Sequence, residues 1–355
     1  MAYAFRKIPI VDAARRCGLV IDSRTLGRSE VEAACPFCGD HGPGKYHLSL
    51  NTDTDQYRCN LCNARGNSVT LYAKLKGVSN KEAYRGLTGG SNIYVLPSQP
   101  APQIPEIQPR ALLERHAVYS EMLSFLTLAV QHRENLMERG LSDERIIQNE
   151  YRSMPETPAA RRLLAKLVGA NQELLGIPGF YTRDDVWTLA GSNGFLIPVR
   201  DKAGLIQGLK IRIDDASNPS RKYRWLSSRD KRLINGTRSY SWIHVTGDIT
   251  RKCAFLTEGP LKGDVASFLA KDALFVCTGG VNATKGLKET ILSLGVTEVV
   301  EAMDMDQMTN PQVRNGVLAM RREVQGIPGV KYSKYTWNPA YKGVDDYFLS
   351  RVAAM

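Results

Sequence analysis

A multidomain α+β fold is predicted for this chain by three features of its 355 residues. Four cysteines stand in two Cys-x2-Cys pairs near the N-terminus, five prolines crowd residues 88–110, and strand-like and helical stretches alternate through the last hundred residues. Together they imply an N-terminal zinc-ribbon module, a mixed α/β middle and a C-terminal α/β domain built on a mainly parallel sheet.

The first module spans residues 1–87. Cys35-x2-Cys38, twenty intervening residues and Cys59-x2-Cys62 form its central motif. Each pair makes a tight knuckle, so that two thiolates reach one ion at about 2.3 Å. Four thiolates complete a tetrahedral shell, and the zinc they imply is structural. His41 and His47 are then surface histidines rather than ligands. Between the knuckles, KYHLSL and QYRCN alternate as two strands around the turn-forming Asn51, Asp53 and Asp55. Helices follow from about Ser68 and Ser79, where Ser79 and Glu82 have capping-box spacing. Lys45, Tyr46, His47, Tyr57 and Arg58 mix charge with rings. Such a surface stacks bases and holds phosphates, unless the tyrosines pack beneath the helices instead.

Residues 88–110 read as an extended, partly stiff linker. Beyond it, residues 111–138 have helical apolar spacing, and LSDERII carries a helix start, with Ser142 as cap and Leu141 and Ile146 as staple. Residues 111–250 end in strands, FLIPVR and LIQGLKIRI, about a turn at Asp201–Gly204. In residues 251–355, CAFLT, LFVCT, EVVEAM and VKYSKYTW are strand-like, and Asn310 before Pro311 marks the start of the last helix.

That alternation places acids. Glu258 follows CAFLT, Asp304 and Asp306 follow EVVEAM, and Asp345 and Asp346 follow VKYSKYTW by one short loop. In a parallel sheet these positions share the carboxyl edge, where open α/β folds put their sites. Five acids on one edge repel one another unless a cation is bound. Mg²⁺ or Mn²⁺ suits carboxylate oxygens and retains waters for substrate phosphates. The matching chemistry is nucleotidyl transfer with two metal ions, one activating a hydroxyl and one neutralising the leaving phosphates. Lys262, Lys285 and Lys342 are candidate phosphate contacts.

The net charge is +11, and its distribution is uneven. Residues 1–100 carry 13 Lys/Arg against 8 Asp/Glu and residues 201–250 carry 10 against 5, whereas residues 101–200 carry 11 against 12. Two basic zones flank a neutral one, which suggests two contact surfaces for a polyanion. No secretory hydrophobic core and no run of ~18 apolar residues is present. Seven cysteines in that setting point to a reducing cytoplasm and metal binding, with no membrane partner.

Three segments resemble DnaG-type bacterial primases and their phage and mobile-element relatives. CPFCGDHGPGKYHLSL with YRCNLCNARGNSVTLYAKLKGVSNKEAYRGL resembles that family's zinc domain, with Cys38 where many cellular members have His. LMERGLSDERIIQNEYRSMP, GFLIPVRDKAGLIQGLKIRIDD and RKYRWLSS resemble its RNA-polymerase domain. The resemblance implies a basic surface for template and nucleotide at Arg200, Arg212 and Lys222, to which Tyr223 is added; Lys231 is a further candidate. TEGPLKGDVASFL, DMDQM and KGVDDYFL resemble Toprim domains and imply metal-binding roles for Glu258, Asp304, Asp306 and Asp345. In one departure, Lys262 stands where cellular primases have Asp, with Asp264 two residues later, which leaves the shape of the second metal site open. The implied function is a DNA primase, a DNA-directed RNA polymerase acting on single-stranded DNA with ribonucleoside triphosphates. No helicase-binding domain follows residue 355, so a separate helicase partner would be engaged another way. The same acids suit a Toprim nuclease or strand breaker, and Lys262 suits an accessory protein that binds DNA without synthesis.

Overall fold

The computed structural model describes residues 8–38, 45–62, 64–89, 107–214, 222–229, 233–305 and 311–353. The chain divides into two compact units, with the described residues up to Gly89 in the first and those from Ile107 in the second. No described helix is long and apolar enough to cross a membrane.

In the first unit, α1 (Ile10–Arg16) precedes a four-stranded antiparallel sheet in the order β1 (Glu30–Ala33), β2 (Leu48–Asn51), β3 (Gln56–Cys59) and β4 (Arg65–Asn67). Alternation decides its faces: Leu48, Leu50, Tyr57 and Cys59 are buried, while Arg58 is exposed. The β2–β3 turn is held by Asn51 Oδ1, which accepts the amides of Asp53 and Thr54 at 3.0 and 2.9 Å. Two helices follow, α2 (Ser68–Lys76) and α3 (Asn80–Thr88). Ser79 and Glu82 exchange both bonds of the capping box expected at α3.

The second unit opens with α4 (Leu112–Ser124), α5 (Val130–Glu138) and α6 (Asp143–Gln148). The helical stretch expected over 111–138 is thus broken at 125–129. There Ala129 donates its N–H to Ser153 Oγ at 2.8 Å rather than continuing α4. Ser142 caps α6 as its sequence implies. β5 (Arg152–Ser153), α7 (Pro158–Val168), the hairpin β6 (Phe180–Arg183) and β7 (Val186–Leu189), β8 (Gly194–Arg200), β9 (Ile206–Ile213) and β10 (Tyr223–Trp225) complete the middle region. β10, β9, β8 and β5 form an antiparallel sheet in that order. One face of it carries Leu196, Leu209 and Ile211 into a core with α4 and α7.

The other face meets the last region. This comprises β11 (His244–Thr246), β12 (Cys253–Glu258), α8 (Pro260–Leu269), β13 (Phe275–Thr278), α9 (Leu287–Leu294), β14 (Glu298–Glu301), α10 (Pro311–Gln325), β15 (Lys331–Lys334) and α11 (Val344–Ala353). Its sheet runs β11-β13-β12-β14-β15. β11 is an antiparallel edge, and the other pairings are parallel. Leu287, Ile291, Val317 and Met320 of α9 and α10 cover one face of this sheet. Ala266 of α8 and Val344 of α11 cover the other. Leu261 and Val265 of α8 also pack on Phe195 and Ile197 of β8, so α8 lies between the two sheets. The last helix is therefore α11, not the one that begins at Pro311. Asp345 and Asp346 lie in its first turn.

Candidate metal and nucleotide site

The sulfurs of Cys35, Cys38, Cys59 and Cys62 all lie within 4.8 Å of one another. Cys35 and Cys62 are 3.7 Å apart and Cys38 and Cys59 3.2 Å. A tetrahedral shell with metal–sulfur bonds of ~2.3 Å has edges of about 3.8 Å, so these residues fit structural zinc. The Cys35 thiol and the amides of Cys62 and Leu61 hydrogen-bond Cys59 and bring its pKa down to about 5. Burial and the Cys59 thiolate push Cys38 up to about 12. His47 is not in this group, and His41 lies outside the described residues. Tyr57 belongs to the core, 2% exposed and stacked on Phe37 at 6.1 Å, so for this ring the packing alternative holds and base stacking does not.

In the second unit the chain turns at three strand ends. Glu258 closes β12, Asp304 follows β14 by three residues, and Asp345 lies in the first turn of α11. Parallel pairing in register, Leu256 with Glu301, brings these ends to one edge. Asp306 lies outside the described residues. Asp304 and Asp345 are 4% and 5% exposed, which is costly for carboxylates without compensation. The compensation is Lys262, whose ammonium ion-pairs with Asp304. Burial pulls its pKa down, but the charges of Asp304, Asp345 and Glu258 outweigh that and raise it. Lys342 approaches the other oxygen of Asp304 at 3.9 Å. Asp345 Oδ1 has no hydrogen-bond partner. Burial first, then Asp346 and Asp304, push this carboxyl up to about 6 against the pull of Lys262. Asp346 is exposed, and its carboxylate accepts the Gly343 N–H at 3.1 Å. Among the described residues, the cysteines alone bring three or more metal-ligating side chains within 4.8 Å of one another. Glu258, Asp304 and Asp345 act on Lys262 instead of closing on a common point.

A cationic face borders this edge. Arg212 on β9 and Tyr223 on β10 are cross-strand partners, as are Lys210 and Trp225. The Arg212 guanidinium stacks on Phe195 at 5.5 Å, and its Nε is buried without a hydrogen-bond partner. The pKa of Lys222 is lowered by partial burial and then by Arg212, Arg139 and Lys342, a group of four like charges. Arg139 also acts on Asp345. Arg200 is engaged elsewhere: it ion-pairs with Glu150 and donates to the Gly204 carbonyl at 2.8 Å. Lys285 lies over Tyr240, 5.4 Å from the ring centroid, and Lys231 is outside the described residues.

Asp264, the acid nearest Lys262 in sequence, is turned away from the edge. Its two oxygens accept from Tyr151 Oη at 2.7 Å and from His244 Nε2 at 3.0 Å, while His244 Nδ1 accepts the Arg200 N–H at 2.9 Å. Burial alone would raise this carboxyl, but His244 and Tyr151 hold it below the usual range. It joins the two sheets, with both of its oxygens engaged within the fold. Glu301, fully buried, is likewise paired with Arg321 and Tyr332.

Two residues of this site escaped sequence reasoning. Lys210, 5% exposed, donates to the Gly279 carbonyl at 3.4 Å and lies 5.3 Å from the Trp225 ring centroid. Burial lowers its pKa to about 8, with Glu258 opposing. Its signal was the alternation that sets Gly208, Lys210 and Arg212 on one face of β9. Arg139 carried no signal beyond its place at the end of α5.

This chain is similar to the solved structure of the Aquifex aeolicus primase (zinc-binding and RNA polymerase domains). Identity is 16% and the TM-score 0.50, over 98% of this chain and 81% of that one. The RNA polymerase domain of Mycobacterium tuberculosis primase DnaG matches at 17% identity and TM-score 0.48, over 68% of this chain and 84% of that one. A DnaG primase catalytic domain bound to ssDNA matches at 14% and 0.46, over 68% and 79%. The likeness is one of fold, and the first of these matches extends over nearly the whole chain. No family model matches the chain, and no curated protein matches it either.

Proposed function

We propose that this chain is a DNA primase, binding single-stranded DNA and joining ribonucleotides into a short RNA primer. The observation that carries the reading is the meeting of Glu258, Asp304 and Asp345 at one sheet edge beside the cations Arg139, Arg212, Lys222 and Lys342. Acids for a metal ion and cations for phosphates are what nucleotidyl transfer requires together. The last region is then a Toprim domain, and its carboxylates suit Mg²⁺ or Mn²⁺ by donor type. The orphaned Asp345 Oδ1 supports this, as an acceptor a cation would satisfy. A bound divalent ion would activate the primer 3′-hydroxyl and draw charge from the phosphates.

The chain's own residues do the rest. Arg212 and Lys222 hold the triphosphate, with the unpartnered Arg212 Nε among the donors. Tyr223, 39% exposed, offers its ring to a base. Attack forms the O3′–Pα bond as pyrophosphate leaves, and Lys342 stands beside Asp304 to offset the charge set free. The zinc module selects the template site. Domain limits follow function: a zinc domain over 1–87, a linker over 88–110, a polymerase region over 111–250 and a Toprim region over 251–355.

The test is primer synthesis on mixed-sequence single-stranded DNA with labelled ribonucleotides, comparing the wild type with Asp304→Ala. Loss of synthesis with DNA binding kept is expected, and no product from the wild type would refute the proposal. The Lys262–Asp304 ion pair favours a second reading, an accessory protein that binds DNA without synthesis. A binding-competent, synthesis-dead wild type would establish it.

A further inference from the structure

The acidic edge carries a cation of its own. Lys262 lies in the first turn of α8, four residues after Glu258, and its side chain is only 18% exposed. Its ammonium contacts Asp304 directly and acts on Asp345 and Glu258 as well. The lysine is not an exposed side chain that strayed inward. Gly343 leaves it room: a Cβ there would come within 2.2 Å of Asp345 Oδ1 and 3.2 Å of Lys262 Cε. Backbone, carboxylate and lysine stem are packed against one another.

Two further facts bear on how many ions such an edge holds. Asp264, the acid nearest Lys262 in sequence, is buried and directs both oxygens to Tyr151 and His244 instead of to this edge. Asp304 faces Lys262 with one oxygen and Lys342 with the other. A divalent ion and an ammonium repel at such range, and in a buried setting the repulsion is poorly screened. Among the described acids of this edge, Asp345 presents a buried oxygen, Oδ1, with no hydrogen-bond partner.

We infer that the Lys262 ammonium permanently replaces one of the two cations, so that the edge binds a single divalent ion, with Asp345 among its ligands. This rests on the metal-dependent reading above and refines it. A fixed ammonium supplies one charge where a metal supplies two, but it needs no free ion and also donates hydrogen bonds to phosphate oxygens.

Mn²⁺ titration of the zinc-loaded full chain, without nucleotide, tests this by calorimetry and by the electron paramagnetic resonance of free Mn²⁺. One ion per chain is expected in the wild type and none in Asp345→Asn. Lys262→Gln should bind one ion about tenfold more tightly, since a repelling charge is gone, and Lys262→Asp should bind two. Two ions in the wild type would overturn the inference while leaving the metal-dependent reading intact. No ion in a folded wild type would overturn both. Unchanged affinity in Lys262→Gln would place the ion away from this lysine and reject the substitution of ammonium for metal.

Discussion

The Lys210 side chain is buried beside Glu258, and burial lowers its pKa to about 8. The unfolded value is near 10.4, so between these two pH values the unfolded chain binds more protons and stability rises with pH. Below pH 8 the charged form is buried at its full cost, roughly 3 kcal/mol at about 1.4 kcal/mol per unit. Lys210→Met should therefore raise the melting temperature at pH 7, and the gap should narrow as pH climbs from 8 to 10.5, followed by thermal denaturation. Primer synthesis should fall about tenfold or more in the same variant, because the lost charge lies beside the acids. A variant both less stable and fully active would refute this role. Gly343→Ala makes a second residue-scale case. Its new Cβ would collide with Asp345 Oδ1, so Mn²⁺ binding should be lost while the melting temperature moves by only a few degrees. Neither residue was legible in sequence as a site residue. KGVDD marks Asp345 as a site residue but gives no sign that Gly343 packs against it, and LIQGLKIRI shows that Lys210 and Arg212 share a face without showing that a second sheet covers it. Arg200 presents the reverse case: its charge is visible in sequence, but its ion-pair partner Glu150 lies fifty residues off.

Elements whose signals are local were legible, and those that depend on a distant partner were not. The caps at Ser79 and Ser142 and the strands β8, β9, β12, β13 and β14 come from spacing within one segment. β1, β5 and β10 span two to four residues each and exist because a neighbouring strand pairs with them. α11 lies beyond the helix expected to be the last, although two acids at a helix start are themselves a favourable signal. Its Tyr347 and Phe348 pack on Tyr335, which puts the VKYSKYTW segment in the core beyond the four residues that form β15. The helix that carries Lys262 depends on one close approach. A Cβ at Gly263 would lie 2.0 Å from the Cys277 sulfur on β13, so α8 sits on that strand without a gap. Gly263→Ala should cost about 1–3 kcal/mol by overpacking, read as a lower denaturation midpoint. Adding Cys277→Ala removes the atom it meets and should restore most of the loss. If the two effects simply add, the approach does not hold α8 in place.

At the scale of the molecule, the two units differ in what maintains them. The first has a small core in which Cys35 and Cys59 are themselves buried members beside Leu48, Leu50 and Tyr57. Such a module depends on its metal. A zinc chelator should therefore make it protease-sensitive while the second unit keeps its thermal transition, and joint unfolding would refute that independence. The charge on the second unit decides how it holds nucleic acid. Partial burial and then the charges of Arg212, Arg139 and Lys342 lower the Lys222 pKa, and a polyanion relieves the repulsion among the four cations. Each phosphate neutralised on a single strand releases counterions and contributes about −0.7 to the slope of log K against log salt. Four such contacts predict a slope of about −2.8 for this group, so that affinity falls about fiftyfold between 50 and 200 mM salt. Lys222→Ala should make the slope shallower by about 0.7, whereas Arg200→Ala should leave it unchanged, because Glu150 already neutralises that guanidinium. Fluorescence anisotropy on a labelled single strand measures all three. A salt-independent affinity, or equal losses at Arg200 and Lys222, would move the DNA-binding surface off the β9–β10 face.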